Sequence, residues 1–459
     1  MQFKNPSIIA QRIALGMESL DNLGSSLQVT PIADSNGTTT SYSVAVTVFN
    51  EKQVPKTDSK HSSTVKEDTL FSADSMTKML TAAAILRMSE LDKYSNYLSK
   101  GVDTALSDLL PILKRRYSGS TYIRSELEKE PNFQEITIAH LAQHISGLAK
   151  VSRKALDKAL EKNGKLIPEE IIDVKKVSRT NKFGENIGEF SYNDLGYELL
   201  GRILIALASE QKQSAVSFNE VVNELVIDRV RKKLPVTQQS SLKFFNSDQM
   251  EIFEGKTRVI NHPELEVEFG PNYEAGNLKY ISSHSYDLSC GGSYTDSESM
   301  SEIAFYVLHS SPNFSIYQKS KTLEILNSRW VLKRDSDGSL NKQNKTYGFG
   351  YESFDHSDYN YYRDHGGLGY GSNSNAFIDT KNNNAVVVMI SFENLALPLA
   401  YALVYNEKSN VTIRLTEELF NKSKELYSRY NEKDLVIMRN CLDSSYESFK
   451  EIYKKITRS

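Results

Sequence analysis

Strand-like sequence occurs at two places far apart in this chain, and that separation constrains the fold more than any other feature. The stretch "SYSVAVTVFN" (41–50) is β-branched and alternating, the period-two pattern of a strand. Comparable signals return only in "YGFGYESF" (347–354), "SNAFIDT" (374–380) and "NAVVVMISF" (384–392), with "KNNN" as a turn between the last two. In between, "TIAHLAQHI", "SYNDLGYELLGRILIAL", "FNEVVNELVIDRVRKKL" and "SESMSEIAFYVLHS" space their apolar residues three and four apart, as helices do. One early strand, a helical middle and late antiparallel strands make a discontinuous α/β lobe with a helical lobe inserted into it. The cleft between two such lobes is a natural place for a site.

The ends of the chain read as helical. "MQFKNPSIIAQRIALGMESL" carries Ile8, Ile9, Ile13, Leu15 and Leu20 on one side of an amphipathic helix, and the stretch from "VTIRLTEELF" onward is helical and polar-faced. The expected division is a helical extension over 1–40, a main domain over 41–430 and a helical appendage over 431–459. Within the main domain the α/β lobe takes about 41–90 and 297–430, and the all-α lobe takes about 91–296. At 459 residues the chain is too long for one simple core, which agrees with two lobes.

Composition narrows the function classes. A formal net charge of −3 gives no electrostatic reason to expect nucleic acid or a membrane surface. Two cysteines, Cys290 and Cys441, exclude a disulfide scaffold and suit a reducing compartment. The N-terminal stretch is interrupted by Arg12 and Glu18, so no secretory signal is visible. No run approaches the roughly 20 apolar residues of a membrane span. A cytoplasmic or non-classically exported protein is the expectation.

The segment "FSADSMTKMLTAAAIL" (71–86) carries the chemistry. Ser75 and Lys78 stand three apart at the head of a helix, so their side chains can meet. A serine hydroxyl is a poor nucleophile until a nearby group takes its proton. A lysine can do so if burial lowers its pKa, or can stay an ammonium and stabilise another base's anion. The pair alone is weak: the same spacing recurs at Ser63, Ser209, Ser240 and Ser339, and a helix cap would also put a serine at position 75.

Later segments of the chain add weight. "ITIAHLAQHISGL" (136–148), "FSYNDLGYELLG" (190–201), "LSCGGSYTD" (288–296), "YGFGYES" (347–353) and "HGGLGY" (365–370) come in order after "LFSADSMTK". From about residue 41 to about 425 this succession resembles the serine β-lactamase-like hydrolases: class C β-lactamases, D-alanyl-D-alanine carboxypeptidases, D-aminopeptidases and related esterases. The resemblance implies a β-lactamase/transpeptidase-like fold, an antiparallel sheet flanked by helices, with the site in the cleft. It makes Ser75 the acylated nucleophile, Lys78 its activator and Tyr192 the tyrosine of the Tyr-x-Asn motif. It puts His365 at the basic position lining the cleft, followed by Gly366 and Gly367 on the substrate strand. The N–H groups of Ser75 and Leu368 would form the oxyanion hole, where losing one donor costs about 3–4 kcal/mol of barrier. It calls for no metal and no organic cofactor.

Two departures shape the expected chemistry. Asp194 stands where the motif usually has asparagine, with Asn193 between it and Tyr192. A carboxylate there keeps Lys78 charged, which leaves Tyr192 to take the Ser75 proton. Asp194 can equally be the cap of the next helix. Histidine at 365 replaces the lysine of class C β-lactamases, which favours peptidase or esterase chemistry over a dedicated β-lactamase.

Other features have bland readings beside pointed ones. "HLAQH" puts His140 and His144 one turn apart, but Leu141 stands where a zincin needs glutamate, so a structural helix is the expectation. Cys290 reads as a small buried residue. The tyrosine-rich "DHSDYNYYRDHGG" (355–367) reads as a hairpin with cross-strand pairs, or as an aromatic rim to the cleft. The functional expectation is a serine hydrolase acting through an acyl-enzyme on a small ester, a D-residue-containing peptide or a β-lactam. The rival is a catalytically weak or inactive protein of the same fold serving as a binding or regulatory module, with the terminal helices as docking surfaces for a protein partner.

Overall fold

The early and late strands meet in one eight-stranded sheet. The computed structural model describes residues 23–33, 39–50, 70–130, 132–148, 150–151, 177–178, 187–253, 256–259, 262–268, 289–333, 339, 345–354, 361–368, 373–381 and 384–390. The sheet contains β1 (Leu23–Ala33), β2 (Thr39–Asn50), β3 (Val331–Leu332), β4 (Lys345–Tyr347), β5 (Glu352–Phe354), β6 (Tyr362–Leu368), β7 (Asn373–Asp379) and β8 (Asn384–Ile390). Its spatial order is β1-β2-β8-β7-β6-β5-β4-β3. Neighbours run antiparallel except β2 and β8, which lie parallel from Ser43 beside Ala385 to Val48 beside Ile390. Placing β8 between β7 and β2 joins the two ends of the discontinuous lobe.

The helix α1 (Thr77–Glu90) sits at the centre of the molecule. Its apolar residues occupy every side rather than one stripe, and almost the whole helix is buried accordingly. A second long helix, α2 (Asp194–Lys212), packs on α1. The helix α3 (Ser297–Leu308) lies across β2, β7 and β8 and also touches α1. Its start is fixed by Asp296, which accepts the Ser299 N–H at 2.7 Å.

Three expectations change. Residues 23–33, expected within a helical extension, form strand β1, whose partner is β2 from Leu23 beside Asn50 onward. The middle of the chain is not all-α. It contributes five strands to a six-stranded sheet ordered Phe245–Asn246, Ser293–Thr295, Leu70–Ser72, His262–Glu268, Lys256–Val259 and Met250–Phe253. Four of these five strands have two to four residues, too short for alternation to stand out against helical spacing. The stretch 347–354, expected as one strand, is broken: β4 ends at Tyr347 and β5 begins at Glu352, with Gly350 at a φ of 76° between them. The helices expected at 1–20 and 431–459 lie outside the described residues. No described helix is long and apolar enough to cross a membrane.

Candidate active site

Strand Leu70–Ser72 leads into a tight 3₁₀ turn, Asp74–Met76, that runs directly into α1. Asp74 has a φ of 44°, a left-handed conformation that a residue with a side chain adopts at a cost. The Ser72 hydroxyl donates to its carboxylate at 2.7 Å and holds that corner. Ser75 therefore sits half-buried where the turn becomes helix. Three residues on, Lys78 Nζ donates to Ser75 Oγ at 3.1 Å.

Lys78 is buried, with only 1% of its side chain exposed, and its surroundings decide its charge. Nζ also donates to the Cys290 carbonyl at 2.8 Å and pairs with Asp194 Oδ1 at 2.8 Å. An ammonium has three N–H donors, and three acceptors surround it. Burial works to lower the Lys78 pKa, but the charge of Asp194, with smaller contributions from Tyr192 and Cys290, outweighs it. The pKa stands well above the usual lysine value. Asp194 is 62% exposed, so one end of the pair faces the open side of the site.

Tyr192 completes the cluster. Its hydroxyl faces Ser75 and Lys78, and both side chains act to lower its pKa. Lys78 Nζ lies 4.9 Å from the ring centre. Burial pushes the phenol's pKa up to about 12 although the Lys78 charge pulls the other way, so the hydroxyl is protonated at neutral pH. The following residue, Asn193, caps α2 by accepting the Leu195 N–H at 3.0 Å. It also donates to the Leu148 carbonyl at 2.7 Å. Asp194 is thus the first residue of the helix rather than its cap, and its carboxylate is left for Lys78.

Strand β6 runs alongside the serine-bearing turn. A Cβ added to Gly367 would stand 2.3 Å from the Ala73 carbonyl oxygen, so only glycine allows this contact. A Cβ on Gly366 would meet nothing closer than 3.5 Å, so packing within the protein does not require that glycine. Leu368 ends the strand, paired with Asn373. His365 departs from expectation. It is 3% exposed, with Nε2 3.0 Å from the Tyr347 hydroxyl and Nδ1 2.8 Å from the Gly366 carbonyl. Burial lowers its pKa to about 4, so the position expected to be basic holds a neutral ring at physiological pH.

A serine hydroxyl, a buried ammonium and a phenol now stand together. Residues 32–230 match the sequence model of the beta-lactamase family. The matched stretch carries Ser75, Lys78, Tyr192 and Asp194. No curated protein matches the chain. Among solved structures, the octameric penicillin-binding protein homologue from Pyrococcus abyssi is 15% identical, over 86% of this chain and 76% of its own, with a TM-score of 0.51. EstCE1, a hydrolase with promiscuous acyltransferase activity, is 17% identical over 84% of this chain and 95% of its own, with a TM-score of 0.50. These likenesses establish the β-lactamase/transpeptidase-like fold, a mixed architecture of antiparallel sheets and helices.

Several residues of this site carry no signal in the sequence. His144 is not paired with His140: its Nδ1 accepts the Asn193 N–H at 3.0 Å, and its ring stacks on Tyr192 with centroids 4.2 Å apart. A φ of 58° turns it inward from the end of its helix. His140 instead closes a capping box with Thr137, its Nδ1 accepting the Thr137 N–H at 3.3 Å. Tyr347 and Phe190 pack around Tyr192 from the other side. Cys290 is a small buried residue, as its sequence context implies, yet the group it brings to Lys78 is its carbonyl. No side-chain pattern announces a backbone carbonyl.

Proposed function

We propose that this protein is a serine hydrolase that acts through an acyl-enzyme on Ser75. The carrying observation is the 3.1 Å hydrogen bond from the buried Lys78 Nζ to Ser75 Oγ, with the Tyr192 ring 4.9 Å from the same Nζ. Serine needs a proton acceptor in the transition state, and neither neighbour is a resting base: Lys78 is an ammonium and Tyr192 a neutral phenol. A relay meets this requirement. As Ser75 Oγ bonds to the substrate carbonyl carbon, its proton passes to Tyr192 Oη, and the phenol's own proton passes to the leaving oxygen or nitrogen as that bond breaks. Lys78 keeps its three protons and stabilises the charge that builds on both oxygens. The Ser75 and Leu368 N–H groups hold the oxyanion. Water then repeats the exchange and releases the acid.

Small esters and amides are the preferred acyl donors, ahead of β-lactams, because a neutral His365 offers no cation for a substrate carboxylate. The main domain begins near residue 23 in this reading, because β1 is part of its sheet, and the terminal segments serve a protein partner. Fluorophosphonate labelling tests the proposal. A stoichiometric adduct that disappears in Ser75→Ala, together with p-nitrophenyl ester hydrolysis, supports it. If wild-type protein gives neither adduct nor hydrolysis, the fold here serves as a binding module instead.

A further inference from the structure

Lys78 is held by three groups, and the Cys290 carbonyl belongs to a segment with no regular structure of its own. Residues 289–291 form a turn, and nothing in their local sequence aims a carbonyl at Lys78. The aim comes from α2. Glu198 is buried, and its Oε1 accepts both the Ser289 and Cys290 N–H groups at 3.1 Å. The opposite edge of the turn is held by two donors from α1: Thr81 Oγ1 donates to the Ser289 carbonyl at 2.6 Å, and Lys78 Nζ to the Cys290 carbonyl at 2.8 Å. One helical turn beyond Glu198, a Cβ on Gly201 would lie 2.2 Å from Ser289 Oγ, so the absent side chain lets the turn seat against the helix. Asp194, Glu198 and Gly201 are spaced four and three apart and so share one face of α2.

We infer that Glu198 is a positioning residue for the Ser75–Lys78 pair. Its carboxylate clamps two consecutive amides and thereby fixes the Cys290 carbonyl as the third acceptor of the Lys78 ammonium. The first turn of α2 grips Lys78 directly through Asp194, and the next turn grips it through the backbone. A side chain that held the turn only for stability would need no particular acceptor oxygen. One that orients Lys78 must present an oxygen to both N–H groups, which glutamine can do and alanine cannot.

The kinetic arm of the test rests on the proposed hydrolase, and a second arm does not. In ¹⁵N-lysine-labelled protein the buried, triply bonded Lys78 ammonium should give a slowly exchanging ¹⁵Nζ signal, assigned by its loss in Lys78→Arg. Glu198→Gln should keep that signal and label with fluorophosphonate within about threefold of wild type, even if it melts earlier. Glu198→Ala should lose or shift the signal and label at least tenfold more slowly at a temperature where it remains folded. An unchanged Lys78 signal in Glu198→Ala overturns the inference whether or not the protein proves to be a hydrolase. So does a glutamine variant as impaired as alanine in both measurements. A wild type that never labels, yet shows the signal pattern above, overturns the hydrolase reading and leaves the positioning role standing.

Discussion

Gly367→Ala is the sharpest test of how the site is assembled. The added Cβ would stand 2.3 Å from the Ala73 carbonyl oxygen and 2.5 Å from Ser374 Oγ, where ordinary contact begins at 3.4 Å. The serine hydroxyl can rotate away, but the carbonyl cannot. Ala73 is fixed on one side by its N–H to the Ser293 carbonyl at 2.8 Å, and its own oxygen accepts the Met76 N–H at 2.9 Å. About 1.1 Å, the difference between 3.4 and 2.3 Å, must therefore come from separation of β6 and the turn carrying Ser75. Overpacking of this kind costs about 1–3 kcal/mol of stability, and a displacement near 1 Å at reacting groups costs about 100-fold in rate. The expected variant is folded, melts several degrees early and labels with fluorophosphonate about 100-fold more slowly. Gly366→Ala is the stability control, because its Cβ meets only ordinary contacts, and it should melt like wild type. If Gly367→Ala both melts and labels as wild type does, β6 does not position the serine.

The same geometry sets three further outcomes. Asp194→Asn removes the carboxylate that holds the Lys78 pKa up, so the basic limb of the labelling pH profile should move to lower pH; an unmoved limb would show that Lys78 does not need its charge. Tyr192→Phe removes the relay oxygen and should slow ester turnover by about 10²–10⁴-fold while leaving KM within a few-fold, and a loss below tenfold would dismiss the relay. Glu302 on α3 is buried beside Glu298 and Asp296, and burial first, then those charges, raise its pKa to about 8. A carboxyl raised above its unfolded value stabilises the protein fully below the unfolded pKa, and that contribution is lost as pH rises towards 8. Glu302→Gln should therefore flatten the denaturation midpoint between pH 5 and pH 8, whereas an unchanged slope there would contradict the assignment.

The main sheet is legible in the sequence because β2 and β8 are long and β-branched, whereas the second sheet is not, because its strands at Phe245–Asn246 and Ser293–Thr295 are too short to show a period. The site divides in the same way. Ser75, Lys78, Tyr192 and Asp194 declare themselves through chemistry-bearing side chains at motif spacing, and the fold brings all four together. The charge state of His365 depends on burial against Tyr347, which no local pattern encodes. Glu198 looks like one more polar residue on an amphipathic helix, and its partners lie about ninety residues further on. Spacing alone pairs His144 with His140 on one helix face, but a left-handed backbone at its own position turns it to Tyr192.

The substitution of aspartate for asparagine at 194 changes the logic of the pair rather than only its strength. With a neutral amide in that place, Lys78 would meet burial without a counter-charge, and loss of a proton would relieve the desolvation of the ammonium. With a carboxylate 2.8 Å away, losing that proton would instead strand a negative charge beside a neutral amine. The resting site is therefore an ion pair, and any step that moves the Ser75 proton must leave that pair intact. In the proposed mechanism the phenol beside Ser75 accepts one proton as it gives up its own, so its charge does not change. In the proposed mechanism the relay through Tyr192 follows from Asp194, and the two residues stand or fall together. In the double variant Asp194→Asn/Tyr192→Phe, Lys78 regains a route to act as base, and turnover should exceed that of Tyr192→Phe alone. Simple additivity of the two losses would mean that the carboxylate does not set the proton's path.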